Sequence, residues 1–181
     1  MKLLPGISTA ILLLGASVYA QSPQSPAEDP SKSVLSGEQI EQALHPFKTR
    51  SFTPRGLTRR DSADAGQSVN LNIPFESNSS ALQPQATAQL KQLEAALNAP
   101  SLKLDRFMVA GHTDAKGSAQ HNKQLSLRRA EAVKKYLVSE GITAARLDTA
   151  GYGSEKLFAV DRPEDPSNRR VEVRDLGPAT P

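Results

Sequence analysis

No cysteine occurs among the 181 residues. That excludes disulfides, thiolate metal sites, cysteine nucleophiles and lipid attachment at cysteine. Tryptophan is also absent and aromatic residues make up 4% of the chain, which leaves little for a platform that stacks bases or sugars. Charge of one sign is scarce too. Lysine and arginine total 22 against 19 acids. The first twenty residues hold one of those lysines and no acid, so the remainder nets +2. A dedicated nucleic-acid binder carries a strongly basic stripe, and this balance argues against that class. No uninterrupted apolar run reaches the length of a comfortable membrane span.

Met1-Lys2 followed by the apolar stretch 7–18 and Val18-Tyr19-Ala20 reads as a signal peptide cleaved after Ala20. The expected mature chain is exported, with no transmembrane span. Residues 21–34 are rich in Ser, Pro and Gln and read as a disordered linker. Within 35–65, Ser36-Gly37-Glu38-Gln39 has the form of a capping box, with Ile40, Ala43 and Leu44 on one side of a short helix. That helix is too small to stand alone and is expected to dock on the main domain. The basic run Lys48, Arg50, Arg55, Arg59, Arg60 has two readings, an ordinary solvated linker or a contact with an anionic envelope polymer.

From Ser68 the pattern is regular. Val69, Leu71 and Ile73 alternate with polar residues, as in a half-buried strand ended by Pro74-Phe75. Pro84 suits the first turn of a helix carrying Leu90, Leu93 and Leu97 and stopped at Asn98-Ala99-Pro100. A second strand is expected over 104–110, then a loop over Gly111–Gly117. A long helix follows over 119–140, capped by Ser118 and closed by Gly141. Strands over 146–150, bounded by Gly151-Tyr152-Gly153, and 170–174 complete the order β-α-β-α-β-β. This predicts an α+β, two-layer domain over 66–176, its helices on one face of a mixed sheet, with 177–181 as a tail.

The long helix carries one charge out of place. At about 100° per residue, Leu125, Ala130, Ala132, Val133, Tyr136 and Leu137 form an apolar arc. Arg129 falls inside it, whereas Arg128 faces water. A guanidinium does not give up its proton, so a buried one needs acceptors. Asp114, in the loop after the second strand, is the best candidate partner. Two readings stand side by side: a structural ion pair, or a clamp in which Asp114 takes an ammonium and Arg129 a carboxylate. An enzyme reading has weaker support. His112, Asp114 and His121 lack the spacing of H-E-x-x-H, no G-x-S-x-G elbow is present, and Ser126 sits mid-helix without an evident base. His112 is expected to order its loop.

The run GHTDAKGSAQHNKQLSLRRAEAVKKYLVSEGI, then RLDTAGYG and NRRVEV, with FESNSSAL upstream, resembles the OmpA-like C-terminal domain over roughly 68–175. The resemblance implies non-covalent binding of diaminopimelate-type peptidoglycan, with no metal, cofactor or catalysis. It implies that Asp114 grips the ammonium of diaminopimelate and Arg129, the second arginine of LSLRRA, its carboxylate. Phe75, Glu76, Thr113, Asn122, Leu125 and Arg169 are carried over as a secondary pocket. The family commonly has Asp where Glu76 stands and Tyr where His121 stands. Residues 21–65 are too few for an eight-stranded barrel, and no lipid-bearing cysteine follows the apolar run. The expectation is a short exported member in a Gram-negative periplasm, associated with peptidoglycan and peripheral to the outer membrane. The alternative is an envelope protein-interaction adaptor that docks a partner through 35–65.

Overall fold

A computed structural model describes residues 34–45, 67–76 and 78–178. The signal-peptide segment 1–20, nearly all of the 21–34 linker, the basic run 48–60 and the end of the tail lie outside the described residues.

Helix α1 (Gly37–Leu44) is opened by the expected capping box. The Ser36 hydroxyl accepts from the Gln39 backbone N–H while the Gln39 side chain accepts from the Ser36 N–H. Ile40 and Leu44 are fully buried, packed toward α2 (Ala86–Leu97). Polar groups of α2 hold the entry to α1. Gln89 accepts from the Leu35 N–H and donates to its carbonyl, and Gln92 accepts from the Gly37 N–H. The short helix therefore docks as expected. Its apolar face is spent inside this chain, so Ile40 and Leu44 are not available to a partner docking through 35–65.

Four strands form one sheet in the order β1-β4-β2-β3: β1 (Ser68–Leu71), β2 (Asp105–His112), β3 (Leu147–Gly153) and β4 (Val171–Pro178). β2 and β3 run parallel, joined through α3 (Ala119–Ser139), while β4 lies antiparallel to both β1 and β2. Leu90, Leu93 and Leu97 of α2 meet Val69, Leu71, Phe107, Val109, Val171 and Val173 of the sheet in one core. Each such side chain contributes about 1.5–3 kcal/mol by leaving water. The mixed α+β architecture is the one the hydrophobic pattern implies.

Several boundaries differ from expectation, and glycine explains the largest shifts. β2 runs on through Gly111 and His112, and β3 through Gly151-Tyr152-Gly153. The glycines read as turn markers are in the strands because α3 lies hard against them. A Cβ on Gly111 would sit 2.1 Å from the Ser126 carbonyl oxygen, and one on Gly151 2.5 Å from the Leu127 nitrogen. The last strand extends to Pro178 because its far half pairs with the start of β2. Leu104 precedes β2 and is exposed. Pro84 lies in the turn before α2, its carbonyl accepting from Thr87.

On α3 the buried face is Asn122, Leu125, Ser126, Arg129, Ala130, Val133 and Leu137, with Ala132 and Tyr136 only at its margin. The face is thus rotated relative to a purely apolar arc. Its first half is polar and meets the loops; its second half is apolar and enters the core. Ser118 caps the helix and Gly141, at φ +100°, closes it as expected.

Candidate ligand-binding site

The site is built at the end of β2. The backbone leaving that strand is pinned on both sides. His112 N–H donates to the Arg170 carbonyl, Thr113 N–H to Gly153 and Ala115 N–H to Pro163. From the first turn of α3, the Asn122 amide donates to the carbonyls of Asp114 and Lys116. The Thr113 hydroxyl donates to the Asp114 carbonyl. Asp114 is thus fixed by its neighbours, with 8% of its surface exposed.

Opposite stands the segment after β1. Phe75 pairs with Leu82, and Glu76 N–H bonds the Ala81 carbonyl, so 75–82 folds back as a loop. Arg129 rises from α3 into this loop. Its Nε donates to the Ser79 carbonyl at 2.9 Å and its Nη2 to the Glu76 carbonyl at 3.4 Å, while the guanidinium lies 4.9 Å from the centre of the Phe75 ring. Arg129 is also 8% exposed. Burial pushes its pKa down from the usual value, and Arg169 adds to this; the Asp114 carboxylate partly restores it.

Asp114, Arg129, Phe75, Glu76, Thr113, Asn122, Leu125 and Arg169, the whole set carried over from the sequence, line one open cavity of about 670 Å³. One expected contact is corrected. Asp114 is not bonded to Arg129: its Oδ2 accepts from Arg169 Nη1 at 2.8 Å and its Oδ1 from the Lys116 N–H at 3.3 Å. The reason is direction. Arg129 leans toward the 75–79 loop, where two carbonyls and a ring face take the guanidinium, leaving Asp114 to the more exposed Arg169. Glu76 serves Arg129 through its backbone carbonyl; its side-chain oxygens make no part of that bond.

Asn78, Lys116 and His121, the last at the position where the family commonly has Tyr, also line the cavity. His121 Nε2 donates to Asn78 Oδ1 at 2.7 Å, bridging α3 to the loop, and Asn78 has φ 52°. An Asn in a Ser/Asn run was the available signal, since Asn tolerates the left-handed region.

The residues weighed for catalysis are otherwise engaged. Ser126 donates to the Lys123 carbonyl and accepts from Gly153 N–H, stapling α3 to β3. His112 belongs to β2 and ties it to β4: its Nε2 donates to Glu172 Oε2 at 3.2 Å, and it does not order the loop through its side chain. Glu172 also accepts from Arg174. These bonds, the one from His112 foremost, hold the Glu172 carboxyl down at about 2 against the opposing effect of burial. No described helix is long and apolar enough to cross a membrane.

Comparison with known proteins places the fold. The chain is 38% identical over 104 residues to the peptidoglycan-associated lipoprotein of Pseudomonas putida, covering 55% of this chain and 60% of that one. It is 36% identical over 110 residues to outer membrane protein A of Bordetella avium, covering 60% of this chain and 56% of that one. The chain therefore spans about 60% of the length of these curated relatives. The fold matches the periplasmic domain of MotB from Helicobacter pylori, with a TM-score of 0.54, 24% identity, and 64% and 86% of the two chains covered. The model of the OmpA family matches residues 74–171, more than half the chain, and the chain belongs to that family.

Proposed function

We propose that this protein binds peptidoglycan non-covalently through the diaminopimelate of the stem peptide, and so attaches itself to the cell wall in the periplasm. The observation that carries the reading is Arg129. It is a buried guanidinium at a cavity wall, held among the described residues by carbonyls and a ring face, with a fixed carboxylate, Asp114, on the same cavity. Diaminopimelate presents an ammonium and a carboxylate on one carbon. Its carboxylate supplies an anion; no described carboxylate bonds Arg129. Its ammonium approaches Asp114 on the side of Oδ1, away from Arg169. The similarity to a peptidoglycan-associated lipoprotein supports the same reading. Recognition of this kind transforms no bond and needs no cofactor, and the engagement of Ser126, His112 and His121 elsewhere favours a binding protein over an enzyme.

Sedimentation with purified sacculi tests it. Asp114→Ala and Arg129→Ala each remove one charged partner from a desolvated site, a loss of about 2–5 kcal/mol in binding. Both variants should stay in the supernatant, while Arg128→Ala should pellet as the parent does. Free diaminopimelate should bind and free lysine, which has no side-chain carboxylate, should not. Equal pelleting of all three variants would overturn the assignment.

A further inference from the structure

The cavity does not end at Phe75. Phe75, Arg129 and Arg169 also wall an adjoining recess of about 240 Å³, completed by Asn72, His112 and Arg170 among others. Three guanidiniums border this recess, and no Asp or Glu among the described residues does. Among the described residues, Arg169 alone of the three bonds a carboxylate, that of Asp114. Arg170 donates to neutral acceptors: Asn70 Oδ1 at 2.9 Å, the Lys156 carbonyl at 3.2 Å and the Asn168 carbonyl at 3.4 Å. Burial lowers its pKa, and Glu172 opposes that from a distance.

A second observation comes from His112. It is 1% exposed. Its Nε2 donates to the Glu172 carboxylate. Among the described residues Nδ1 has no hydrogen-bond partner. A buried polar atom without a partner is rare and costly in a folded protein. The recess therefore brings two guanidiniums that bond no carboxylate among the described residues, those of Arg129 and Arg170, together with a ring whose second nitrogen is unpartnered there.

We propose that this recess is a second subsite, in which Arg170 takes a second carboxylate of the same ligand and the unpartnered Nδ1 of His112 bonds the amide group beside it. The inference rests on the wall-binding reading and extends it. A carboxylate next to a peptide N–H is what a γ-linked glutamate presents, and such a residue precedes diaminopimelate in the stem. The main cavity holds the tip of diaminopimelate while the recess reads the residue before it. Arg129 and Arg169, shared by both spaces, place the two carboxylates on one continuous basic wall.

Titration calorimetry on the full chain tests this with three probes: free diaminopimelate, the tripeptide L-Ala-γ-D-Glu-diaminopimelate, and the same tripeptide with the glutamyl carboxylate amidated. The parent protein should bind the acidic tripeptide about tenfold or more tighter than the amidated one, as for a bond to a charged group. Arg170→Gln should lose that preference and keep its affinity for free diaminopimelate within about twofold, the ordinary spread of a distant site. Equal binding of the two tripeptides by the parent protein would overturn the subsite without recourse to any variant. So would an equal loss for both tripeptides in Arg170→Gln. Failure of free diaminopimelate to bind would instead overturn the wall-binding reading, and this inference with it.

Discussion

Arg169 donates to the Asp114 carboxylate across 2.8 Å, while the Arg129 guanidinium bonds the Ser79 and Glu76 carbonyls. The two arginines divide their surroundings. The exposed one neutralises the loop carboxylate, and the buried one is left on carbonyls. A site with its own cation already on the carboxylate holds that carboxylate still before any ligand arrives, which favours binding without reorganisation.

Asp114→Asn separates charge from shape. The amide keeps the size of the side chain and its acceptor toward the Lys116 N–H, but not the charge that a ligand ammonium needs. The pair with Arg169 is half exposed on the arginine side, so its loss should cost stability only about 0–1 kcal/mol. Binding of diaminopimelate should fall by about 1.5–3 kcal/mol. A melting curve beside a binding titration checks both halves; a large drop in melting temperature would mean that Asp114 is chiefly structural.

Gly111→Ala should damage the fold as much as the site. Its new methyl would lie 2.1 Å from the Ser126 carbonyl oxygen and 2.8 Å from the Ser126 carbonyl carbon. Both are backbone atoms that cannot swing aside. Overpacking of this kind costs about 1–3 kcal/mol or more. The denaturation midpoint should fall, and with it the fixed relation between Asp114 and α3. An unchanged midpoint would contradict the close approach of helix and strand.

Glu172 predicts how the protein responds to acid. Its carboxyl is lowered from 4.5 to about 2 by His112 and Arg174. A group depressed on folding stabilises fully above its unfolded value, and that contribution is lost as pH falls toward the folded one. The protein should therefore lose stability between about pH 4.5 and 2. The contribution is on the order of 3 kcal/mol at neutral pH. Glu172→Gln should flatten stability against pH over that window and lower it at pH 7, as read from chemical denaturation at a series of pH values.

Much of the fold was legible because the segments from β1 to β4 follow simple periods, alternate for Val69, Leu71 and Ile73 and helical for Leu90, Leu93 and Leu97. What misled was glycine. Gly111 and Gly151 look like turn residues in a one-dimensional reading, and only the proximity of α3 gives them their other use. That the candidate residues share one cavity was legible, and their pairing was not. An arginine inside an apolar arc announces that it needs acceptors, but carbonyls carry no sequence signature. Ser79 and Glu76 could not be named as its partners from residue type. The stacking of Arg129 on Phe75 and the bridge from His121 to Asn78 depend on how the 75–82 loop folds back, which no local pattern specifies.

Helix α1 precedes the sheet in the chain yet is seated on α2, and its first residues are gripped by Gln89 and Gln92. The segment that comes before β1 in the chain is thus fastened to the second helix by two amide side chains and two buried aliphatic ones. Removing residues 34–45 would lay bare the apolar surface that Ile40 and Leu44 cover, so this short stretch counts as part of the domain's own core.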